Sequence, residues 1–271
     1  MARFPGAVWK PVDRYKPGGS VHQPISGPHR LIFHTAVSDG SSLFDLFNTP
    51  GNPVAHFYVR EDGTVEQYVD TDTRASAVLD GNYDCVTVES WDGGGSKFHG
   101  TDGPKWTPAQ VEACARLAAW CLKVHGIPLA KLDDSSPGHG IGWHRLGIDG
   151  NFPAGILHGR RPGGEQWSSS AGKVCPGDSK IRGVVDDIIP RARDIANGDD
   201  MSDAQVQDIK DTVHAEADRV VKVIRSQAAI QAKRNARVLA EIDKLPDAAT
   251  KRDVRQVVAD ELEKQQQEET P

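Results

Sequence analysis

Every Phe, Trp and Tyr of this chain lies before residue 168, and from residue 199 to the C-terminus there is neither an aromatic residue nor a Gly. Aromatic side chains carry much of the buried area of a globular core, and Gly serves the tight turns between its layers. A folded core is therefore expected in the first part of the chain and a different architecture after it. Asn197-Gly198-Asp199-Asp200 combines a helix stop with turn chemistry and reads as the junction. The expected division is residues 1–197 against 198–271, within the one or two domains that 271 residues suggest.

The first region alternates strand and helix patterns. Leu31 to Ala36 reads as a buried strand and Val86 to Ser90 as another. Ala55 to Arg60 and Thr64 to Val69 flank Glu61-Asp62-Gly63, a short hairpin loop. The strongest local signal is a helix from Pro108 to about His125. Thr107 is its N-cap, Pro108 its first helical residue, and Gln110 completes a capping box. Val111, Cys114, Ala115, Ala118, Cys121 and Leu122 recur at helical spacing as its inward face, and Gly126 and Pro128 stop it. A second helix is expected over Ser179 to Ile195, with Pro190 as a kink.

Several side chains have ligand chemistry. His34 closes the apolar run Leu31-Ile32-Phe33, His144 follows Ile141-Gly142-Trp143, and Cys175 sits on a polar loop behind Lys173-Val174. Two imidazoles and a thiolate suffice for a catalytic zinc shell with one open position. Zinc so held lowers the pKa of water from about 15.7 to about 7. Spacing alone does not select these three, because no short zinc signature joins them. The other thiols read differently. Cys114 and Cys121 stand about 10 Å apart along a helix, beyond disulfide reach, and Cys85 precedes a buried strand.

Five stretches in a fixed order change the weighting. They are Leu31-Ile32-Phe33-His34-Thr35-Ala36, Ala55-His56-Phe57-Tyr58-Val59-Arg60-Glu61-Asp62-Gly63-Thr64-Val65, Val86-Thr87-Val88-Glu89, Gly142-Trp143-His144 and Lys173-Val174-Cys175-Pro176-Gly177. Together they resemble the type 2 N-acetylmuramoyl-L-alanine amidases, whose fold is shared with peptidoglycan recognition proteins and many phage lysins. The resemblance covers about the first two-thirds of the chain. Gly140 to Arg145, with the long insert before Lys173, is most similar to lysins from phages of actinobacteria.

The resemblance implies an α/β fold, a mixed central β-sheet flanked by helices, and Zn2+ held by His34, His144 and Cys175. It implies cleavage of the amide between the lactyl group of N-acetylmuramic acid and L-alanine, with bacterial peptidoglycan as partner. Lys173 matches a lysine proposed to face the oxyanion. Glu89 matches a carboxylate that serves as general base, against the alternative of an edge-strand carboxylate paired with Arg or Lys. His139 is a substitute for His144 as ligand, and His56 belongs to the framework. Two departures stand out: Ala55 replaces the Tyr of some relatives, and Arg74-Ala75-Ser76-Ala77 lacks the aromatic and His usual there. The insert 150–172, containing His158 and Trp167, reads equally as a mobile surface loop or as a lid or wall that contacts glycan or stem peptide.

A net charge of −6 without basic runs argues against nucleic acid, and no apolar run approaches a membrane span. The N-terminus shows no apolar signal core, so synthesis in the host cytoplasm and holin-dependent release to the cell wall are the expectation for a lysin. In the tail, Val206, Ile209, Val213, Val220, Val223 and Ile230 fit a and d positions over about four heptads, interrupted at Glu216 and Gln227, which suggests a coiled-coil-like helix for oligomerisation, docking or wall targeting. Val238, Leu239, Ile242 and Leu245 continue the stripe, and a second helix is expected over Lys251 to Gln266. Met201 opens this region and is a candidate internal start. Two other readings remain: a non-catalytic peptidoglycan-binding module, which Cys175 disfavours, and a cytosolic muropeptide-recycling amidase, which the tail disfavours.

Overall fold

The computed structural model describes residues 2–16, 18–21, 23–27, 29–198, 203–244 and 252–260, without the side chains of 203–216. Contacts divide the chain into two units, Met1–Asp200 and Met201–Pro271.

The first unit is built on a six-stranded mixed sheet. Its strands are β1 (Ala7–Trp9), β2 (Arg30–Phe33), β3 (Phe57–Val59), β4 (Val65–Gln67), β5 (Cys85–Ser90) and β6 (Gly140–Trp143), in the order β1-β4-β3-β5-β2-β6. Only the β3–β4 hairpin is antiparallel; β2 pairs in parallel with both β5 and β6. Gly63 makes that hairpin's turn at φ +82°, where a Cβ would meet the Ala109 carbonyl oxygen at 2.6 Å.

Alternation along the strands sorts two cores. Leu31, Phe33, Phe57, Val59, Val86 and Val88 enter the larger core together with the buried face of α2 (Pro108–His125). Tyr58 and Tyr68 point the other way and pack with Leu43 and with Phe47 of α1 (Phe44–Asn48). The sheet is thus covered on both sides, as expected for an α/β domain.

Helix α2 forms as its sequence predicts. Thr107 Oγ1 accepts from Gln110 N–H at 3.1 Å, and Gln110 Oε1 accepts from Thr107 N–H at 3.0 Å. The Thr107 hydroxyl also donates to the Glu61 carbonyl at 2.7 Å, tying the helix start to the β3–β4 turn. One expected inward residue differs: Leu122 is 36 % exposed, and Leu117 is buried instead. Leu117 lies three residues after Cys114 and four before Cys121, on the same helical stripe.

The expected Ser179–Ile195 helix is α3 (Asp178–Gly183), a π-helical turn (Val184–Ile188) and α4 (Ile189–Asn197). The wide turn falls just before Pro190, whose ring cannot follow a regular α-turn and which has no N–H to donate. Gly198 closes α4 at φ +81°. In the second unit, α5 runs over Asp203–Ile242 and a further helical segment over 252–260, where Arg255 pairs with Asp243. Val220, Val223 and Ile230 are exposed on α5, while Leu245 and Leu262 lie outside the described residues. No helix among the described residues is long and apolar enough to cross a membrane.

Candidate active site

Three adjacent parallel strands end at one place. His34 follows β2, Glu89 lies near the end of β5, and His144 follows β6. Crevices beyond the carboxyl ends of parallel strands are where open α/β sheets gather ligands. The fourth contributor, Cys175, comes from the loop leading into α3. Ligand atoms of His34, His144 and Cys175 all lie within 4.8 Å of one another, and the two imidazole centroids are 4.3 Å apart.

Each of these groups is held from behind. His34 N–H continues the ladder to the Val88 carbonyl at 2.8 Å, and its own carbonyl accepts from Ser90 Oγ at 2.7 Å. His144 Nε2 donates to the Trp167 carbonyl at 2.9 Å, which leaves Nδ1 with its lone pair free. The Cys175 loop is fixed by Arg145, fully buried, which donates to Asp178 Oδ1 and to the Val174 carbonyl, each at 2.6 Å. Thr35 N–H points at Cys175 Sγ from 3.3 Å.

The donor set fits zinc. His34 Nε2 is buried with no hydrogen-bond partner, the state expected of an atom whose partner is a metal. Burial, then the neighbouring charges of His144 and Lys173, hold His34 well below the usual imidazole range. Burial lowers His144 to about 4, against the pull of its bond to Trp167. Both rings are therefore neutral near pH 7, the form that coordinates. Burial pushes the Cys175 thiol up, and the charge of Glu89 adds to this. The Thr35 N–H, Lys180 and Arg145 act the other way. A coordinated cation would deprotonate the thiol outright.

These groups open onto a cleft of about 680 Å3 whose walls also carry Lys173, Phe47, Trp167 and Ser168. Glu89 Oε1 lies 3.7 Å from His34 Nδ1, and Oε2 is buried without a partner. β5 is an interior strand, so the edge-strand alternative for Glu89 does not hold. Burial raises its pKa to about 8; Lys180 and Lys173 oppose this and Asp92 adds to it. Lys173 is exposed at the cleft wall.

Other sequence-flagged residues fall elsewhere. His139 is exposed and stacks on His29 at 4.3 Å, outside the cluster of His34, His144 and Cys175. His56 is fully buried in the framework, its Nδ1 accepting from Thr87 N–H at 3.1 Å and its Nε2 facing the Thr73 carbonyl at 2.9 Å. His158 reaches the Asp133 carbonyl at 2.9 Å. Ala55, Ser76 and Ala77, the positions of departure, line the cleft with small side chains. The insert is no loose loop: Trp167 is 1 % exposed, Glu165 pairs with the buried Arg30 at 2.7 Å, and Trp167, Ser168 and Ser169 form part of the cleft wall.

Three further residues that the sequence does not single out support the site. Arg145 and Asp92 anchor loops around it, and Lys180 is a buried ammonium behind Thr35 and Ser90, while Trp167 of the insert holds His144 through its carbonyl. Burial lowers Lys180 to about 8, against Asp92, Cys114, Cys175 and Glu89. The one usable signal was the charged pair Asp178 and Lys180 opening a helix directly after Cys-Pro-Gly.

Residues 22–178 match the family model Amidase_2, described as N-acetylmuramoyl-L-alanine amidase. Among solved structures, the chain is similar to N-acetylmuramoyl-L-alanine amidase LysC from Clostridium intestinale URNW, at 14% identity over 67% of this chain and 95% of that chain, TM-score 0.45. It is similar to a mutant of PlyL at 15% identity, covering 69% and 98%, TM-score 0.45. It is also similar to Drosophila peptidoglycan recognition protein SD at 11% identity, covering 65% and 88%, TM-score 0.41. No curated protein matches the chain in sequence. The matched family segment spans more than half of the chain and contains His34, Glu89, His144, Lys173 and Cys175, and on this ground the chain belongs to the Amidase_2 family of N-acetylmuramoyl-L-alanine amidases.

Proposed function

We propose that the protein is a zinc-dependent peptidoglycan amidase of phage-lysin type, cutting between N-acetylmuramic acid and the L-alanine of the stem peptide. The observation that carries this reading is the convergence of His34, His144 and Cys175 beside Glu89 on the floor of an open cleft. Bound there, zinc supplies Lewis acidity, which brings water within reach of deprotonation near neutral pH and polarises the scissile carbonyl. Glu89 takes the proton of the attacking water and returns it to the leaving amine of L-alanine. The cation at His34 would draw the Glu89 carboxyl back down from about 8, towards the ionised form a base requires. Lys173, at the cleft wall, offers positive charge where the tetrahedral oxyanion develops, so it acts in the transition state more than in the ground state.

The presence of Cys175 favours catalysis over a binding-only module. In the lysin reading the enzyme is made in the host cytoplasm and reaches the wall after a separate holin opens the membrane, and the tail serves self-association or docking. Digestion of purified sacculi with mass spectrometry of the released ends tests the chemistry. New lactyl termini and free L-alanine amines, lost on chelation and restored by zinc, are expected. Reducing sugar ends would point to a glycosidase, and binding without any new termini to a recognition module.

A further inference from the structure

Lys180 lies on α3 and is 1 % exposed. Its ammonium has three protons and three acceptors: Thr35 Oγ1 at 3.1 Å, Ser90 Oγ at 2.7 Å and the Trp91 carbonyl at 2.9 Å. Its backbone carbonyl accepts from Trp106 Nε1 at 2.9 Å, and the Trp106 ring lies 4.6 Å from the ammonium. With every proton committed and no place on the cleft wall, this lysine cannot serve substrate as Lys173 does.

Two of its acceptors lead to metal-competent residues. Ser90, holding the ammonium with its lone pair, donates a hydrogen bond from its own hydroxyl to the His34 carbonyl at 2.7 Å. Thr35 directs its backbone N–H at Cys175 Sγ from 3.3 Å and donates a hydrogen bond from its hydroxyl to Asp92. Asp92 also accepts Val37 N–H at 2.7 Å and Ser38 N–H at 2.9 Å, fixing the segment after His34 from its far side. Because α3 begins three residues after Cys175, the same lysine ties the cysteine loop to the end of β5.

We propose that Lys180 is a positioning residue for the metal site: through Ser90 and Thr35 its buried ammonium sets the spacing between His34 and Cys175. This inference rests on the reading of His34, His144 and Cys175 as zinc ligands. An apolar side chain of similar length would leave two hydroxyls and a carbonyl without their donor and Asp92 without a neighbouring cation. The network would then relax, and the two ligands would drift apart.

Zinc affinity of the purified full-length chain, measured by competition with a chromophoric chelator, tests the proposal. It is paired with the thiolate-to-metal band of the cobalt(II)-loaded protein. Lys180→Met is expected to bind zinc about 10- to 100-fold more weakly, the usual effect of losing a partner behind a ligand. Its cobalt band should shift, which a lysine serving only the fold would not cause. Folded Lys180→Met protein with wild-type zinc affinity and an unchanged cobalt band overturns the proposal. If Lys180→Met does not fold, Ser90→Ala decides, since it cuts only the link to His34: weakened zinc binding supports the proposal and unchanged binding overturns it. Wild-type protein that takes up no stoichiometric zinc would instead overturn the ligand assignment itself.

Discussion

The Nε2 atom of His144 lies 2.9 Å from the carbonyl oxygen of Trp167, so the insert before Lys173 selects the tautomer of a residue in the metal-competent cluster. The indole of Trp167 packs on Gly147, where an added Cβ would meet its Cγ at 2.3 Å. Gly147→Ala is therefore expected to push Trp167 outward and pull the carbonyl off His144. Overpacking of this kind costs about 1 to 3 kcal/mol. Thermal melting should show that loss, and metal analysis should show reduced zinc occupancy in the folded protein. Unchanged occupancy would separate the insert from the metal site.

Cys175 tests the cluster most directly. Cys175→Ala removes one of three donors, and near-complete loss of both zinc and turnover is expected. A variant keeping one zinc per chain and full turnover would sink the assignment. With the cluster intact, His139→Ala is expected to retain metal, because His139 lies outside it.

Glu89 and Lys173 should behave differently from the metal-competent residues. Glu89→Gln and Lys173→Ala are each expected to keep fold and zinc while losing turnover. Loss of one transition-state charge contact costs about 10²- to 10³-fold. Glu89→Gln with more than about a third of wild-type turnover would place the base elsewhere, since general acid–base catalysis supplies at least about 10²-fold.

These residues were legible in the sequence because each sits inside a contiguous stretch whose neighbours carry the same information. The α2 helix was legible for a related reason: Thr107, Pro108 and Gln110 act on one another within a single turn. Lys180 was not, since its partners Thr35 and Ser90 lie 145 and 90 residues away. Its meaning is set by the sheet, which brings the ends of β2 and β5 beneath α3. The insert is similar: its Gly and Ser content leaves a loose loop and a cleft wall both open, and only the distant Arg30, which pins Glu165, decides between them. Strand β6 carries little strand signal because two of its four residues, Gly140 and Gly142, are Gly, and the three-residue β1 has no apolar run extending beyond it.

His56 should make stability depend on pH. Burial holds its pKa at about 4, partly opposed by the bond to the Thr73 carbonyl, while His125 lowers it further. The unfolded chain takes up a proton near the ordinary 6.5 and the folded one only near 4, so unfolding is favoured as pH falls through that window. The full effect, about 3 kcal/mol, is present above pH 6.5 and lost by about pH 4. Urea unfolding at several pH values, for wild type and His56→Gln, isolates this part because the other histidines are common to both. Equal pH slopes for the two proteins would refute it.

Met201 is the only methionine after Met1 and stands near the start of the region that lacks both aromatic residues and Gly, and its structure lies outside the described residues. An internal start there would yield a free product of residues 201–271 beside the full-length chain. The exposed Val220, Val223 and Ile230, at heptad spacing along α5, give such a product a seam through which to join full-length chains. Expression of the untagged gene should then show a second, small band that Met201→Leu abolishes. Sedimentation supplies the complementary measurement, because truncation before residue 201 removes the seam and leaves the amidase unit. A truncated protein with the same subunit number as the full-length one would show that association is not what the tail provides.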